Sequence, residues 1–528
     1  MALIAALLGW MFDGFEIGMF PLVGPNALDE LLSREIAADP TVKDVWFGVI
    51  MAMFLIGAAT GGVLFGWLGD RLGRVRAMSL SIVTYALFTG LCGFAGEAWQ
   101  LAALRFIASL GMGGEWALGV ALVTEIWPDR SRAFLAGLMG AAANVGMLLV
   151  GLLSLGLVSF IKWAGDAMLQ IGMSPGVVES LLARDGWRLM MILGALPALL
   201  IFFVRLCVPE SHKWEAQRAA GGTSHWATKD LLGVLVGAVA ATAVVALWSP
   251  YFEAMATVGG ADGGKDATEA AMLATWASPV RIVGTMLGLV VVLAGFLYPV
   301  MQYLRRAEGA GQLSPGQRPL LLRRMLLGAS LSAVALLGTW GSLQWAPKWA
   351  SALARLLPAE GGPYHAKEYA QIALASGAIV GAIAAALVAG WLGRRITYAA
   401  LCAASFGALV FMYGANDAYG PKLLASVFVA GGLTAAFYGW FPLYLPELFP
   451  TCIRATAQGF AYNFGRVLSA IGVLQTATLT AYFSTGVAPD RIEVDAFPIA
   501  GASLAGIYLI GLILIWLGPE TRGVPLPE

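Results

Sequence analysis

Gly66-Trp67-Leu68-Gly69-Asp70-Arg71 runs on into Leu72-Gly73-Arg74, and its opening returns as Gly390-Trp391-Leu392-Gly393 with Arg394-Arg395 behind it. Each copy closes a long apolar run and sets a short basic segment before the next one. Two further pairs keep the same order. Glu125-Ile126-Trp127-Pro128, with Arg132-Ala133 after it, returns as Glu447-Leu448-Phe449-Pro450 with Arg454-Ala455. Pro209-Glu210-Ser211 returns as Pro519-Glu520-Thr521. The offsets are 324, 322 and 310 residues, and an ordered set of this kind marks an internal duplication of helical units.

The composition says what medium those units occupy. Of 528 residues, 59% are hydrophobic and 12% charged, with mean hydropathy +0.77; a soluble globular chain carries about 25% charge. Soluble multidomain, disordered, collagen-like, coiled-coil and disulfide-scaffold readings are excluded together. Cys92, Cys207, Cys402 and Cys452 lie in or beside apolar runs without metal-ligand spacing, which suits helix packing.

A spanning helix needs about 20 mostly apolar residues. Such runs fall near 3–24, 46–68, 76–96, 99–126, 133–160, 187–208, 231–250 and 282–303. Six more follow near 324–346, 369–392, 396–414, 421–446, 456–484 and 497–518. The runs are continuous instead of alternating, which argues against a β-barrel. The expected fold is an all-α polytopic membrane protein of fourteen helices. Span 1 does not read as a signal peptide, because it lacks a basic start and carries Asp13 and Glu16.

The repeat pairs the first span with 324–346, the second with 369–392 and the sixth with 497–518. The runs at 231–250 and 282–303 have no counterpart, so they read as a hairpin inserted between two six-helix halves. The expected division is 1–210 for the first bundle, 211–323 for the linker and hairpin, and 324–528 for the second bundle. Long loops are expected at 161–186 and 251–281. An even number of spans puts both termini on one face. That face receives 18 Lys/Arg and 10 Asp/Glu, the opposite face 12 and 19, and the span interiors 2 and 3. By the positive-inside rule the termini are cytoplasmic. The formal net charge of zero is thus a cancellation between two faces, and it gives no argument for nucleic-acid binding.

With these residues the chain resembles the major facilitator superfamily. Gly66 through Arg74 looks like its signature between helices 2 and 3, with Gly66, Asp70, Arg71, Gly73 and Arg74 at the matching positions. Further likeness comes from Asp13-Gly14-Phe15-Glu16, Gly111-Met112-Gly113-Gly114-Glu115-Trp116, Pro209-Glu210-Ser211 with Trp214, and the run from Leu445 to Arg466. These resemble the sialate/monocarboxylate:proton symporter group and its metabolite:proton symporter relatives. The resemblance implies two six-helix halves alternating access to one mid-membrane site. It also implies a central inserted helix pair, as in the sialate carriers, and a cytoplasmic gate formed by Asp70, Arg71, Arg74, Glu125, Arg132, Glu447 and Arg454.

Charges at mid-bilayer cost at least about 2.5 kcal/mol each on insertion scales, so those within spans point to function. Asp13 and Glu16 are three residues apart on one helix face, with Arg105 expected level with Glu16 and Glu115 deeper. Adjacent carboxylates in low dielectric resist joint ionisation, so one is expected to hold a proton. Asp13, Glu16 and Glu115 are therefore proton-coupling candidates, with Arg105 holding a carboxylate ionised; the competing reading is a static pair fixing two helices. Glu125 reads as a gate residue beside Arg130 and Arg132. Arg466, near the membrane centre, offers a planar fork for a substrate carboxylate, or else pairs internally. Trp340, Gln344, Tyr438, Asn463 and Asn144 could wall the same cavity, although packing explains such residues equally well.

His212, His225 and His365 all fall in loops, which leaves no intramembrane histidine relay or metal site; no phosphate-cradling glycine loop or ATPase-sized region is present. No cofactor is implied. The resulting reading is a monomeric inner-membrane secondary transporter whose partners are a small organic anion, protons and the lipid bilayer. A proton-coupled or facilitative sugar or polyol carrier is the nearest rival. An intramembrane acid/base enzyme using Asp13 and Glu16 is the remote one.

Overall fold

The computed structural model describes residues 2–38, 42–127, 131–196, 208–248, 267–311, 313–314, 316–358, 365–484, 487–488 and 491–527. Among them twelve helices are long and apolar enough to cross a membrane, and no strand occurs. The expected span at 187–208 runs into residues outside the described set. The one at 456–484 is two helices joined at Phe464, with the side chains of 473–478 also outside it.

The first half holds α1 (Ala2–Leu31), the short α2 (Ser33–Ala38), α3 (Val42–Leu72), α4 (Arg74–Cys92), α5 (Ala98–Ile126) and α6 (Arg132–Leu155). Small residues set their packing. A Cβ on Gly14 of α1 would stand 1.7 Å from the Ala143 carbonyl oxygen of α6, so the two backbones touch directly. Residues 157–193 correct the sequence reading, since most of the expected loop at 161–186 is helical. α7 (Leu157–Gln170) and α8 (Pro175–Leu193) occupy it, separated by the turn at 171–174 and kinked at Ala183 through Gly186, where Arg184, Asp185 and Gly186 take positive φ. Polar residues on one face of α7 had hidden a helix that needs only one buried side.

α9 (His212–Ala219) leads to α10 (Leu231–Trp248) and α11 (Ala267–Gly309). Here too the expected loop at 251–281 is shorter, because α11 begins at Ala267. The α10–α11 hairpin is drawn tight at Gly233 and Gly295. Its foot holds the α9 segment. Arg306 pairs with Asp230 and donates to the His225 carbonyl at 2.7 Å, while the Tyr303 hydroxyl donates to the Gly222 carbonyl at 3.0 Å.

α12 (Gln317–Gly341) and α13 (Ala346–Ala354) open the second half, followed by α14 (Ala366–Leu392), α15 (Arg394–Gly414) and α16 (Pro421–Tyr444). Then come α17 (Arg454–Asn463), α18 (Gly465–Phe483), α19 (Ile492–Leu504) and α20 (Ile507–Leu514). The halves meet along α3 against α17 and α18, and along α6 against α14 and α16. That seam positions everything below.

Candidate functional site

Gly73 (φ 114°) and Gly393 (φ 101°) turn the chain sharply between α3 and α4 and between α14 and α15, in a region where L side chains are strained. Each turn exposes helix-start N–H groups, and a glutamate takes them. Glu210 accepts from Arg74 N at 2.8 Å and Val75 N at 3.2 Å; Glu520 accepts from Arg394 N at 3.0 Å and Arg395 N at 3.1 Å. Burial works to raise the Glu520 carboxyl, but the N–H groups of Arg394, Arg395, Arg522 and Thr521 outweigh it and hold it below the usual carboxylate range. Structural equivalence thus pairs Gly73 with Gly393 and Arg74 with Arg394. This corrects the register of the Gly-Trp-Leu-Gly match, which set Asp70 opposite Arg394. Asp70 then falls opposite Gly390, so the second half offers no matching carboxylate.

Both arginines then reach their own half's glutamate. Arg74 donates to Glu125 at 3.0 and 3.3 Å, Arg394 to Glu447 at 2.7 and 3.0 Å. The Ser211 hydroxyl donates to Glu125 at 2.5 Å and that of Thr521 to Glu447 at 2.6 Å. A second arginine arrives from the other half. Arg454 meets Glu125 at 2.9 Å, and Arg132 meets Glu447 at 3.1 Å. Glu125 was expected beside Arg132; the structure gives it Arg74 and Arg454 instead, while Arg130 lies outside the described residues. Asp70 adds a third tie, accepting from Thr456 N at 2.8 Å, Ala455 N at 3.2 Å and the Thr456 hydroxyl at 2.5 Å. It thereby caps α17, a helix of the opposite half. Gly66 lets α3 lie against the Ala455 carbonyl, and Arg71 donates to the Thr228 hydroxyl at 2.7 Å. In this conformation the face bearing Gly73 and Gly393 is closed.

Deeper in, more contacts cross the seam. Trp116 stacks on Tyr462 with ring centroids 3.7 Å apart, and the Gln458 amide donates to the Ala117 carbonyl at 2.5 Å. Asn463, expected in a ligand cavity, instead donates to the carbonyls of Gly113 at 3.1 Å and Gly459 at 3.0 Å. It ties the halves together and does not line the cavity.

That cavity, about 100 Å³, lies above them between the halves. Asp13, Asn144, Trp340, Gln344, Tyr438 and Arg466 all line it. The Arg466 guanidinium packs 5.7 Å from the Tyr462 ring centre, and its Nε and Nη1 are buried without a hydrogen-bond partner. Asp13 Oδ1 is likewise unpartnered. The Glu115 carboxyl lies beside that of Asp13 and otherwise finds no partner. It fits only because residue 9 is glycine, since a Cβ there would stand 1.7 Å from Glu115 Oε1. Glu16 is separate. It forms a buried pair with Arg105, takes the Thr89 hydroxyl at 3.2 Å, and does not reach the cavity. Arg105 in turn lies between the rings of Phe20 and Phe54.

Sequence reading missed Arg394, Ser211, Thr521, Thr456 and Gln458. The Pro-Glu-Ser and Pro-Glu-Thr match marked where two of these lie, but not what their hydroxyls bind. The described residues contain no cluster of His, Cys, Asp and Glu able to hold a metal ion.

A multi-pass membrane protein built from two related bundles around a polar central cavity is the class this arrangement defines. Its fold is of the major facilitator type. Residues 1–225 match the family described as "Sugar (and other) transporter". Over 222 residues it is 34% identical to a protein of Haemophilus influenzae named as a metabolite transport protein, covering 42% of this chain and 46% of that one. The cis,cis-muconate transport protein of Acinetobacter baylyi is 25% identical across 86% of this chain and 83% of its own. The sialic acid transporter NanX of Escherichia coli is 28% identical over 40% and 44%. The alignments with the first and third thus span less than half of those proteins. Among solved structures, the proton:xylose symporter XylE superposes with a TM-score of 0.65 at 17% identity, over 99% of this chain and 97% of the other. The human organic anion transporter MFSD10 gives 0.56 at 14%, over 97% and 98%. These relatives and neighbours are transporters, not enzymes.

Proposed function

We propose that this protein is a secondary active transporter that carries a small organic anion, sialate- or monocarboxylate-like, together with protons by alternating access. One observation carries the reading: Asp13 and Arg466 share one cavity, the carboxyl backed by Glu115 and the guanidinium with its Nε and Nη1 unpartnered. Asp13, with Glu115 behind it, takes the proton. Arg466 engages the substrate carboxylate through its fork. Gln344, Tyr438, Trp340 and Asn144 shape the rest. Glu16 and Arg105 fix α1 against α5 and act on coupling only through that geometry. Two bundles, 1–210 and 324–528, rock about the seam, with 211–323 as linker and hairpin. The termini are cytoplasmic at the cell's inner membrane, the gate of Glu125, Glu447 and their arginines closes that side, and the protein works as a monomer.

Uptake into proteoliposomes under an imposed pH gradient tests the proposal, using carboxylates, sialic acids and neutral sugars in parallel. Asp13→Asn should abolish gradient-driven uptake and spare substrate exchange. Full gradient-driven uptake by that variant would defeat the assignment. A second reading, a sugar or polyol carrier with Arg466 structural, draws support from the likeness in fold to a xylose symporter. Competition by neutral sugars and not by acids would establish it.

A further inference from the structure

Above the central cavity, on the face away from the gate, lies a larger one of about 490 Å³. Lys43, Lys348, Arg355, Lys367 and Glu493 line it, with Trp345. The surrounding face has the opposite sign, since the span topology assigns it 12 basic and 19 acidic residues. Among the described residues, four of those basic residues border this cavity, against one of the acidic ones. Positive charge has been gathered at the mouth of a negative face.

Three of the four cations are already engaged. Lys43 pairs with Asp29 at 2.7 Å, and Lys348 and Arg355 both pair with Glu493. Lys367 differs. At the start of α14 it reaches across the seam and donates to the Pro21 carbonyl of α1 at 3.3 Å. Among the described residues no carboxylate stands within ion-pair distance of it. Its chain neighbour Glu368 accepts instead from the Ser154 hydroxyl at 3.3 Å and faces His365. A half-buried ammonium with one long bond to a neutral acceptor keeps most of its capacity for an anion.

We propose that this vestibule is a separate first binding station for a small carboxylate anion, with Lys367 as its recognition residue. The proposal rests on the organic-anion reading above. Met147, Trp340 and Gln344 line both cavities, so the station adjoins the cavity that holds Arg466. The station raises the local anion concentration at the entrance, and salt weakens it.

Quenching of Trp345 fluorescence tests this without knowledge of the substrate. Iodide serves as the anionic probe and acrylamide as the neutral one, at low and constant ionic strength. Each protein is measured beside its Trp345→Phe form to isolate the one indole. Lys367→Gln should lower iodide quenching of Trp345 roughly two-fold, as a unit charge several ångströms away predicts. Acrylamide quenching should not change, and Lys367→Arg should restore the iodide effect. Equal iodide quenching in wild type and Lys367→Gln overturns the station, and so does a parallel fall with acrylamide, which would mean a closed cavity. If quenching behaves as stated but no carboxylate is taken up under a pH gradient, the transport reading fails and the station stands.

Discussion

Arg454 and Glu125 meet at 2.9 Å across the seam although 329 residues separate them in the chain. Arg132 and Glu447 make the reciprocal contact at 3.1 Å. Each glutamate therefore holds an arginine of its own half and one of the other. The contact within a half would survive a parting of the bundles; the contact across the seam would break. The crossed pairs store the preference for the conformation closed at this face.

Glu125→Gln should move that preference. Breaking one partner of a buried ion pair costs about 3 kcal/mol or more, and the part due to Arg454 falls on the closed state alone. Spin labels on the gate face should report a longer distance population in the variant. An unchanged distribution would show that the ties of Glu447 and Asp70 suffice.

Arg466→Lys should raise KM for a transported carboxylate on the order of ten-fold, with maximal rate less affected. One charge-assisted hydrogen bond is lost, worth about 1.5 kcal/mol. Thermal unfolding should hardly change, because the Arg466 Nε and Nη1 bond no protein group. Unchanged KM with a lowered melting temperature would instead make Arg466 structural.

Glu16→Gln should destabilise by about 3–5 kcal/mol, since Arg105 stays buried between two phenyl rings without its counter-charge. Replacing both, Glu16→Leu with Arg105→Met, should recover much of the loss. Gradient-driven uptake in the double variant separates a structural pair from a coupling one; its abolition would put Glu16 back on the proton path.

Gly9→Ala should impair coupling more than folding. The new methyl would collide with Glu115 Oε1 and push that carboxyl away from Asp13. Reduced gradient-driven uptake, with exchange retained, is the expected result. Normal coupling would mean that Asp13 works without Glu115.

Glu520 gives a pH dependence with a definite sign. Its folded carboxyl titrates below the ordinary value of 4.5, so its contribution is complete above that value and lost as pH falls through the folded one. The difference in melting temperature between wild type and Glu520→Gln should therefore be constant near neutrality and vanish in acid. A difference that persists at low pH would assign the effect to packing.

Helix content, the repeat and the inner charges were legible because each depends on local pattern. Twelve apolar runs became helices, and Asp13, Arg466, Gln344 and Tyr438 came to one cavity. Partner choice was not legible. Glu125 had nearby arginines in the sequence and bound more distant ones, since contact across a seam depends on how two bundles face each other. Asn463 looks like a free donor in a polar motif, yet Gly62 and Gly459 bring backbone so close to it that its amide is taken. The register error around Asp70 arose because four identical letters outweighed the backbone turns at Gly73 and Gly393, which shift the pairing by about one helical turn.

Asp70, matched only by Gly390 in the second half, ties water entry to one helix end. When the closed face parts, withdrawal of Asp70 leaves the N–H groups of Ala455 and Thr456 at the start of α17 bare. Hydration must therefore replace that carboxylate at the start of α17 before the face can stay parted.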